Sequence, residues 1–208
     1  MKFIKYVLLI IAFVFSVQAH AELTAGQEYK LIEPAQPTST GNKIEVLEFF
    51  FYGCSHCFHL HPELTSWEKK MPKDVELVLI PTVFNPTWEP MAYTYYALAA
   101  IGKKQDLHHD LYDAWNVKNI DLSDEAKISE FVSKFGVDKN KFSDAYHSFG
   151  VQSKVTRSKQ LTQTYNIRGT PTLIVDGKYL ITGLQPADAI TVLNAVIAKA
   201  RAERANKH

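Results

Sequence analysis

The chain has 208 residues, 46% of them hydrophobic, and a formal net charge of +1 at pH 7. This balance excludes the strong positive field with which a protein attracts nucleic acid. The length suits one domain, or one domain that carries an insertion, with a substantial hydrophobic core. The chain has two cysteines, Cys54 and Cys57. We therefore expect a fold that does not depend on a framework of disulfides.

The first 21 residues have the composition of an export signal. Two lysines precede an apolar run from Tyr6 to Val17, and Ala19-His20-Ala21 supplies the small-residue pattern that a signal peptidase cleaves. As a membrane anchor this run is too short, because spanning a bilayer takes about 20 residues. We expect cleavage before Glu22.

Removal of the signal takes Lys2 and Lys5 from the 23 basic side chains, which leaves 21 against 22 acidic ones and a net charge of −1. The prediction that the protein does not bind nucleic acid is unchanged. Export also defines the redox environment, because disulfides persist outside the cytoplasm. An exported protein with one closely spaced cysteine pair is expected to act on the disulfides of other proteins.

Residues 22–42 are polar and are interrupted by Pro34, Pro37 and Gly41, and only Tyr29 to Ile32 has the pattern of a strand. Lys43 to Phe51 is a longer β-prone run that is apolar on both faces, as is typical of a central strand covered on each side. Two acids interrupt this run. We expect Glu45 to lie near the solvent-exposed start of the strand, whereas Glu48 lies in its interior.

The central strand leads through Gly53 into Cys54-Ser55-His56-Cys57. From Ser55 to Lys70 the apolar residues recur at helical spacing, and Val75 to Val83 is another apolar strand. A helix between two strands predicts a parallel βαβ unit. The cysteines then lie at the carboxyl end of a strand, where α/β folds place their sites.

A disulfide between two cysteines this close in sequence removes little loop entropy, so the pair is expected to act as a redox centre. Zinc is the alternative, because the two thiolates and an imidazole of His59 or His61 offer three ligands. A second Cys-x-x-Cys or a distal histidine pair is missing from the sequence. Haem attachment is excluded, because Phe58 stands where a histidine would be required.

The segment from Thr87 to about Ile167 contains no convincing strand and is predicted to be helical. The expected caps are Thr87 and Ser123, and the expected stops are Gly102 and Gly136. The predicted helices run from Thr87 to Ile101, Gln105 to Val117, Asp124 to Phe135, Lys139 to Phe149 and about Gln152 to Tyr165. Most of the aromatic residues are expected in the core, namely Trp88, Tyr93, Tyr95, Tyr96, Trp115 and Phe131.

The final segment predicts a β-hairpin followed by a helix. Thr172 to Val175 and Lys178 to Thr182 flank Asp176-Gly177, which is a signal for a two-residue turn between antiparallel strands. Pro186 to Arg204 is amphipathic, so we expect one stripe of this helix to pack against the sheet.

The chain thus combines a βαβ unit that has Cys-x-x-Cys at its helix start with a later β-hairpin and helix, which Gly169-Thr170-Pro171 precedes. This arrangement resembles the thioredoxin superfamily. The helical block between the two halves, Glu48-Phe49-Phe50, the Cys-x-His-Cys motif and the export signal resemble the periplasmic thiol:disulfide oxidases of the DsbA family. The resemblance implies an α/β, thioredoxin-like fold with a mixed sheet and an inserted helical domain. The implied divisions are a signal peptide (1–21), a first thioredoxin-like half (22–86), the helical domain (87–155) and a second half (156–208).

The position of Cys54 at a helix N-terminus favours its thiolate and makes it the expected nucleophile. Cys57, one turn into the helix, is expected to be the more buried resolving thiol. His56 lies between them and can donate a hydrogen bond or a positive charge to the Cys54 sulfur. Such an interaction stabilises the reduced protein and makes the disulfide a stronger oxidant. The other histidines, His59, His61, His108 and His109, are expected to be solvated.

The resemblance implies that Pro171 is preceded by a cis peptide bond and faces the cysteines, with Thr170 offering backbone hydrogen bonds to an extended substrate peptide. From the residues alone, Pro171 is a residue that opens a strand.

Two interpretations of Glu48 remain open. It is either a carboxylate that reaches water at a strand end or, as the family implies, a buried proton acceptor for Cys57. The lysine that often partners this acid in the family is replaced here by Leu79 or Ile80.

The resemblance implies a monomeric enzyme without cofactor or metal that introduces disulfides into reduced, unfolded exported proteins in the periplasm. Reoxidation would require a DsbB-like membrane oxidase linked to quinone. The alternatives are a disulfide reductase or isomerase and, from another class, a metal-binding or peptide-binding module. A dimeric isomerase would need an amino-terminal dimerisation domain, but only 32 mature residues, from Glu22 to Gly53, precede Cys54.

Overall fold

The structure is a computed structural model that describes residues 24–206. The predicted export signal, residues 1–21, lies outside the described part of the chain. The strands are β1 (Lys30–Leu31), β2 (Ile44–Phe50), β3 (Val75–Pro81), β4 (Thr172–Val175) and β5 (Tyr179–Thr182). The helices are α1 (Ser55–Glu68), α2 (Glu89–Ala100), α3 (Lys104–Asn116), α4 (Glu125–Ser133), α5 (Lys139–Tyr146), α6 (Phe149–Thr164) and α7 (Pro186–Ala205), with a short 3-10 helix at Pro86–Trp88.

The strands form one mixed sheet in the order β1-β5-β4-β2-β3. β2 and β3 are parallel and joined by α1, as the βαβ pattern predicts, while β4 runs antiparallel to β2 on its other side. β4 and β5 form the expected hairpin. The predicted α/β class with a mixed sheet is confirmed.

The hairpin turn requires glycine at its second position. Asp176 and Gly177 have φ values of 54° and 65°, the left-handed geometry of a two-residue turn that matches the twist of the strands. A Cβ on Gly177 would approach the Gln36 carbonyl oxygen to 2.0 Å, so the loop before β2 closes over the turn.

β2 is the centre of the molecule, and all seven of its residues are buried. Val46 faces a cluster formed with α1 and α7, which includes Leu60, Leu64 and Leu193. Leu47 and Phe49 face the opposite cluster, which includes Tyr165 after the end of α6. Helices cover both faces of the strand, which explains its nearly continuous apolar sequence.

The five helices α2 to α6 lie between β3 and β4 in the sequence and have a core of their own. This core includes Leu98, Leu111 and Phe131, and it extends to Phe50 and Cys57 at the end of the central strand. The aromatic residues expected in this core are buried or half-buried, so that expectation is confirmed. The second cysteine therefore lies where the helical core meets the sheet.

Several predicted helix boundaries are wrong. The predicted helix that ends at Phe149 stops at Tyr146, and Phe149 instead begins α6, because the Ser148 hydroxyl accepts from the Val151 N–H. The cap of α4 is Asp124, next to the predicted Ser123. Asn85, which precedes the expected cap Thr87, caps the 3-10 helix. In each case a neighbouring polar residue satisfies the exposed N–H groups.

Glu45 is also placed differently from the prediction. It is only 2% exposed and therefore does not lie at a solvated strand end. The backbone N–H and hydroxyl of Ser39 donate to its Oε2 at 2.7 and 2.6 Å. The loop before β2 therefore covers the start of the strand and supplies the hydrogen bonds that a buried carboxylate needs.

Within residues 24–206, no helix combines the length and the apolar character needed to cross a membrane.

Candidate active site

The two cysteines lie at the amino-terminal end of α1, just after the central strand. The turn Phe51-Tyr52-Gly53 is closed by the Cys54 N–H, which donates to the Phe51 carbonyl at 3.0 Å. The Phe58 N–H then donates to the Cys54 carbonyl at 3.0 Å as the helix begins. Cys54 is the N-cap residue, and its side chain makes no capping hydrogen bond. The first N–H groups of α1 remain available to a negatively charged sulfur.

Aromatic side chains from the helical block support this turn. A Cβ on Gly53 would lie 2.5 Å from Cε1 of Phe51 and 2.8 Å from Cε2 of Trp115. The Phe51 ring stacks on Trp88, with centroids 3.8 Å apart and planes 8° apart. These contacts fix the direction in which the chain leaves β2 toward Cys54.

The environments of the two sulfurs differ. Cys54 is half-buried, whereas Cys57 is fully buried, and both are free thiols. Hydrogen bonds lower the pKa of Cys54 to about 5, and the hydrogen bond with the Cys57 thiol makes the largest contribution. The Thr170 side chain and the backbone N–H groups of Cys57 and His56 act in the same direction, and burial opposes them. Burial is the main cause that raises the pKa of Cys57 well above its usual value.

A distant loop completes the site. The Cys54 thiol donates to the Thr170 carbonyl oxygen at 3.2 Å, and the Thr170–Pro171 peptide bond is cis. The Thr172 hydroxyl donates to the Gly169 carbonyl at 2.8 Å and ties this loop to the start of β4. The structure therefore brings Thr170 and Pro171 beside the cysteines.

A cavity of about 300 Å³ opens beside this loop. Its walls include His56 and His59 from the first turns of α1, Thr170 and Pro171 from the loop, and Leu184 and Ala189 around the start of α7. This concave surface combines apolar side chains with the backbone of the Gly169-Thr170-Pro171 loop, which suits an extended peptide.

Glu48 lies in the middle of β2 and is 3% exposed. Burial, followed by repulsion from Glu68 and from Cys54, raises the pKa of this carboxyl to about 8. Its Oε1 atom has no hydrogen-bond partner among the described residues. The register places Leu79 directly opposite Glu48, so an apolar side chain occupies the position of a possible basic partner. Burial therefore favours the protonated carboxyl of Glu48 near neutral pH. Glu48 lies close enough to Cys57 that its carboxylate, once ionised, raises the pKa of that thiol.

Residues 45–193 match the sequence profile of the family described as "DSBA-like thioredoxin domain". This span contains the central strand from its second residue onward, both cysteines, the helical block and Pro171. The chain belongs to this DsbA-like family.

The similarity to known DsbA proteins extends over most of the chain. The thiol:disulfide interchange protein DsbA of Pseudomonas aeruginosa is 32% identical over 199 residues, which cover 94% of each chain. The protein of the same name from Bordetella parapertussis is 37% identical over 179 residues, covering 84% of this chain and 85% of that one. The sequence-based assignment to the DsbA family is confirmed.

Solved DsbA structures share the fold. The crystal structure of Pseudomonas aeruginosa DsbA is 32% identical and has a TM-score of 0.84, covering 88% of this chain and 96% of that one. The oxidoreductase DsbA from Xylella fastidiosa is 27% identical with a TM-score of 0.82, covering 86% and 98% of the two chains. The predicted thioredoxin-like fold with inserted helices is confirmed.

The histidine of the Cys-x-His-Cys motif and the next histidine along α1 lie at the surface. His56 and His59 are both exposed. The contribution of His56 to the lowered pKa of Cys54 comes from its backbone N–H, so a role for its imidazole stays a prediction. Among residues 24–206, no group of three His, Cys, Asp or Glu side chains is arranged to hold a metal ion.

The prediction that His108 is solvated is wrong. His108 is 8% exposed, and its Nδ1 lies 2.6 Å from the Tyr52 hydroxyl. α3 turns this imidazole toward the Phe50 ring, 5.4 Å away, and into the helical core. Burial lowers the pKa of His108 to about 3 and that of the half-buried His61 to about 4, so both are neutral at physiological pH.

Sequence reasoning missed the residues that hold Tyr52 immediately before Gly53. The hydroxyl of Tyr52 pairs with His108, and its carbonyl accepts from Nδ2 of Asn116 at 2.8 Å. The same Nδ2 also donates to the Tyr112 carbonyl at 2.8 Å. His108, Tyr112 and Asn116 recur every four residues, a spacing that places them on one face of α3. That periodicity was the available signal that α3 faces the cysteines.

Proposed function

We propose that this protein is a thiol:disulfide oxidase that introduces disulfide bonds into exported proteins through Cys54 and Cys57. The observation that carries the proposal is the difference between the two sulfurs. One is accessible and ionises with a pKa of about 5, whereas the other is buried with a raised pKa. A stabilised Cys54 thiolate favours the reduced enzyme and so makes its disulfide a good oxidant.

The reaction begins when a substrate thiolate attacks Cys54 of the oxidised enzyme. A new bond forms between the substrate sulfur and Cys54, the Cys54–Cys57 bond breaks, and its electron pair remains on Cys57. A second substrate thiolate then attacks the substrate sulfur of this mixed disulfide and displaces Cys54 as a thiolate. The substrate loses two electrons and gains a disulfide, and the enzyme leaves reduced.

Glu48 is assigned the proton exchange with Cys57. A thiolate released in a buried site needs a proton, and a carboxyl with a pKa of about 8 holds one at neutral pH. During reoxidation the same group, once ionised, can accept the Cys57 proton. His56 is assigned an electrostatic role at the Cys54 sulfur, because it lies between the cysteines and borders the cavity.

The substrate is assigned to the cavity beside Thr170 and Pro171. An extended peptide in this cavity can pair with the backbone of Thr170, while its cysteine approaches Cys54, whose sulfur lies 3.2 Å from the Thr170 carbonyl oxygen. This binding mode uses backbone hydrogen bonds and therefore accepts unfolded chains of many sequences.

The cellular context follows from the predicted signal and the family. We propose that the mature protein starts at Glu22, works in the periplasm as a monomer, and is reoxidised by a DsbB-like membrane protein that passes two electrons to quinone. Intact mass of the protein from a periplasmic extract tests the cleavage site. A mass that retains residues 1–21 contradicts it.

Equilibration with glutathione tests the direction of the reaction. We expect a reduction potential well above the about −270 mV of thioredoxin. A potential near that of thioredoxin would show that the protein is a reductase. The purified enzyme should also oxidise a reduced, unfolded model protein stoichiometrically, which a metal-binding or peptide-binding module would not do.

Variants of each cysteine separate the roles. Cys54→Ala should abolish oxidation of the model protein. Cys57→Ala should retain the nucleophile and accumulate a mixed disulfide when it is offered an activated disulfide, because no resolving thiol is present. Oxidation that persists in Cys54→Ala contradicts the proposed enzyme.

A further inference from the structure

Helix α3 holds Tyr52 at two points, and the thiol exchange described above gives neither contact a role. The Tyr52 hydroxyl lies 2.6 Å from Nδ1 of His108, and its carbonyl oxygen accepts from Nδ2 of Asn116 at 2.8 Å. His108 and Asn116 are about two helical turns apart and lie on one face of α3. Tyr52 itself is 1% exposed. One helix therefore restrains both the ring and the peptide bond of this residue.

The hydrogen bond between Tyr52 and His108 has one satisfactory direction. Burial raises the pKa of Tyr52 well above its usual value, so the phenol keeps its proton. Among the described residues, the hydrogen-bond partner of this hydroxyl is Nδ1 of His108. If Nδ1 were the donor, the hydroxyl proton would be buried without an acceptor, which is unfavourable. The Tyr52 hydroxyl therefore donates, and the His108 tautomer carries its proton on Nε2.

His108 contributes no charge to the site. Burial lowers its pKa to about 3, and repulsion from His61, Lys104 and His109 acts in the same direction. The imidazole is therefore neutral near pH 5, where Cys54 ionises. The titratable groups that face His108 are Tyr52 from the turn before α1, His61 from α1, Tyr95 from α2, and Lys104, His109 and Tyr112 from α3. Any influence of His108 on Cys54 must pass through contacts between residues.

The contact with Asn116 restrains the peptide bond that leads into Gly53, the residue before Cys54. Gly53 has no Cβ, so the backbone at this point has more freedom to rotate than it would at another residue. Rotation there would move Cys54 relative to the first N–H groups of α1. Nδ2 of Asn116 opposes this movement, because it binds both the Tyr52 carbonyl and, also at 2.8 Å, the Tyr112 carbonyl of its own helix.

We propose that His108 and Asn116 are positioning residues that act through Tyr52, and that they set the oxidising strength of the enzyme by holding Cys54 at the amino-terminal end of α1. This inference deepens the proposed function and rests on the role of Cys54 as the nucleophile. The helical block then does more than cover the central strand. One of its helices aligns the reacting sulfur with the N–H groups that stabilise its thiolate.

The test removes each contact separately in the mature protein. His108→Leu removes the acceptor, Tyr52→Phe removes the donor, and Asn116→Ala removes the bond to the Tyr52 carbonyl. We expect each change to raise the pKa of Cys54 by up to about one unit, because the sulfur moves away from the N–H groups. The thiolate absorbance of the reduced protein, followed against pH, measures this pKa. A rise of about one unit is a tenfold loss of thiolate stabilisation, which lowers the reduction potential by about 30 mV.

Two further variants separate positioning from a general loss of packing. His108→Asn places Oδ1 close to the position of Nδ1, so it can still accept from Tyr52 and should restore most of the wild-type potential. The matched control is His109→Leu, which removes the next imidazole of α3. That ring is exposed and stacks on His61, with centroids 5.6 Å apart. We expect His109→Leu to leave the pKa of Cys54 unchanged.

The double variant of His108→Leu and Tyr52→Phe tests whether one residue acts through the other. If it does, the double variant should have the same Cys54 pKa as Tyr52→Phe alone. Additive shifts overturn the proposal, and so does an equal shift in His109→Leu.

Each positioning residue can also fail by itself. An unchanged Cys54 pKa in folded His108→Leu, or in Asn116→Ala, overturns the role of that residue, even if the free energy of unfolding falls. If His108→Leu does not fold, Tyr52→Phe decides for His108, because it keeps the ring and removes the same hydrogen bond. An unchanged pKa in that variant overturns the role of His108.

The function and this inference fail in different ways. A wild-type protein that does not oxidise a reduced model protein, or that has a potential near that of thioredoxin, contradicts the proposed function. Wild-type potentials in the His108 and Asn116 variants of an active enzyme contradict the positioning role alone.

Discussion

The Cys54 sulfur lies 3.2 Å from the carbonyl oxygen of Thr170, a residue 116 positions later in the chain. Only the protonated thiol can donate to that oxygen, so this hydrogen bond is lost when Cys54 ionises. The low pKa of Cys54 must then depend on other groups, of which the Cys57 thiol is first and the Thr170 side chain second among those that lower it.

The Thr170 side chain gives the first prediction. Thr170→Val removes its hydroxyl and should raise the pKa of Cys54 from about 5 by up to about one unit. The absorbance of the thiolate near 240 nm, followed against pH in the reduced protein, measures this pKa. Thr172→Val is the control, because its hydroxyl pairs with Gly169 and Thr182 and not with Cys54. A pKa that rises equally in both variants would assign the effect to the loop and not to the Thr170 hydroxyl.

The ionisation of Cys54 predicts how the stability of the reduced protein depends on pH. The pKa of Cys54 is about 5 in the folded protein, against an ordinary value of 9.0. A depressed pKa stabilises the fold at pH values above it, and this contribution is lost as the pH falls through about 5. In the oxidised protein the Cys54 sulfur is bonded to Cys57 and cannot ionise, so this contribution to stability is absent. We expect the Tm of the reduced protein to exceed that of the oxidised protein at pH 7, and the difference to shrink toward pH 4. A difference that does not change with pH would contradict the stabilised thiolate.

The imidazole of His56 gives the third prediction. His56→Ser keeps the backbone N–H and removes the aromatic ring, so any rise in the pKa of Cys54 belongs to the side chain. We expect the pKa to rise and the reduction potential to fall by about 30 mV for each tenfold loss of stabilisation. His59→Ser is the control, because His59 borders the same cavity but does not lie between the cysteines. If both variants retain the wild-type potential, the backbone N–H of His56 supplies the whole contribution of this residue to the lowered pKa of Cys54.

The sequence was most informative about the candidate site where residue chemistry and residue spacing point to the same feature. Cys54 and Cys57 at the junction of a buried strand and a helix define a redox centre, and Asp176-Gly177 defines the hairpin that follows Pro171. Both signals are local, because they depend on residues a few positions apart. The approach of Thr170 to Cys54 is not local, and it was expected only from the family resemblance.

The sequence was less informative where tertiary contacts decide the environment of a polar residue. Glu45 and His108 were both expected in solvent. The loop that carries Ser39 covers Glu45. The orientation of α3 places His108 in the core, where it pairs with Tyr52. Helix boundaries failed for a related reason. Ser123 and Asp124 are both good caps, and local sequence does not distinguish adjacent candidates.

Glu48 gives the fourth prediction. An acid whose pKa rises on folding destabilises the folded protein as the pH increases from its unfolded value toward its folded value. For Glu48 these values are 4.5 and about 8. At about 1.4 kcal/mol for each pH unit, the raised pKa of Glu48 lowers the free energy of unfolding at pH 7 by about 3 kcal/mol.

Glu48→Gln should therefore be more stable than the wild type by an amount that grows between pH 5 and pH 7. Urea unfolding of both reduced proteins at several pH values gives the difference and cancels the contribution of Cys54. The Gln amide is also buried, so the diagnostic quantity is the slope with pH. A constant difference would show that the Glu48 carboxyl is already ionised in the folded protein.

Gly53 gives the final prediction, which links the aromatic support to the reacting sulfur. A methyl group at this position would overlap the rings of Phe51 and Trp115, at 2.5 and 2.8 Å. Those rings must move for Gly53→Ala to fold, which should lower the free energy of unfolding by about 1–3 kcal/mol. Movement of the turn also displaces the Cys54 sulfur from the N–H groups of α1, so the pKa of Cys54 should rise. Gly169→Ala is the control, because a methyl group there has no neighbour within 4 Å although Thr170 follows directly. Wild-type stability and an unchanged Cys54 pKa in Gly53→Ala would show that the aromatic contacts do not position the nucleophile.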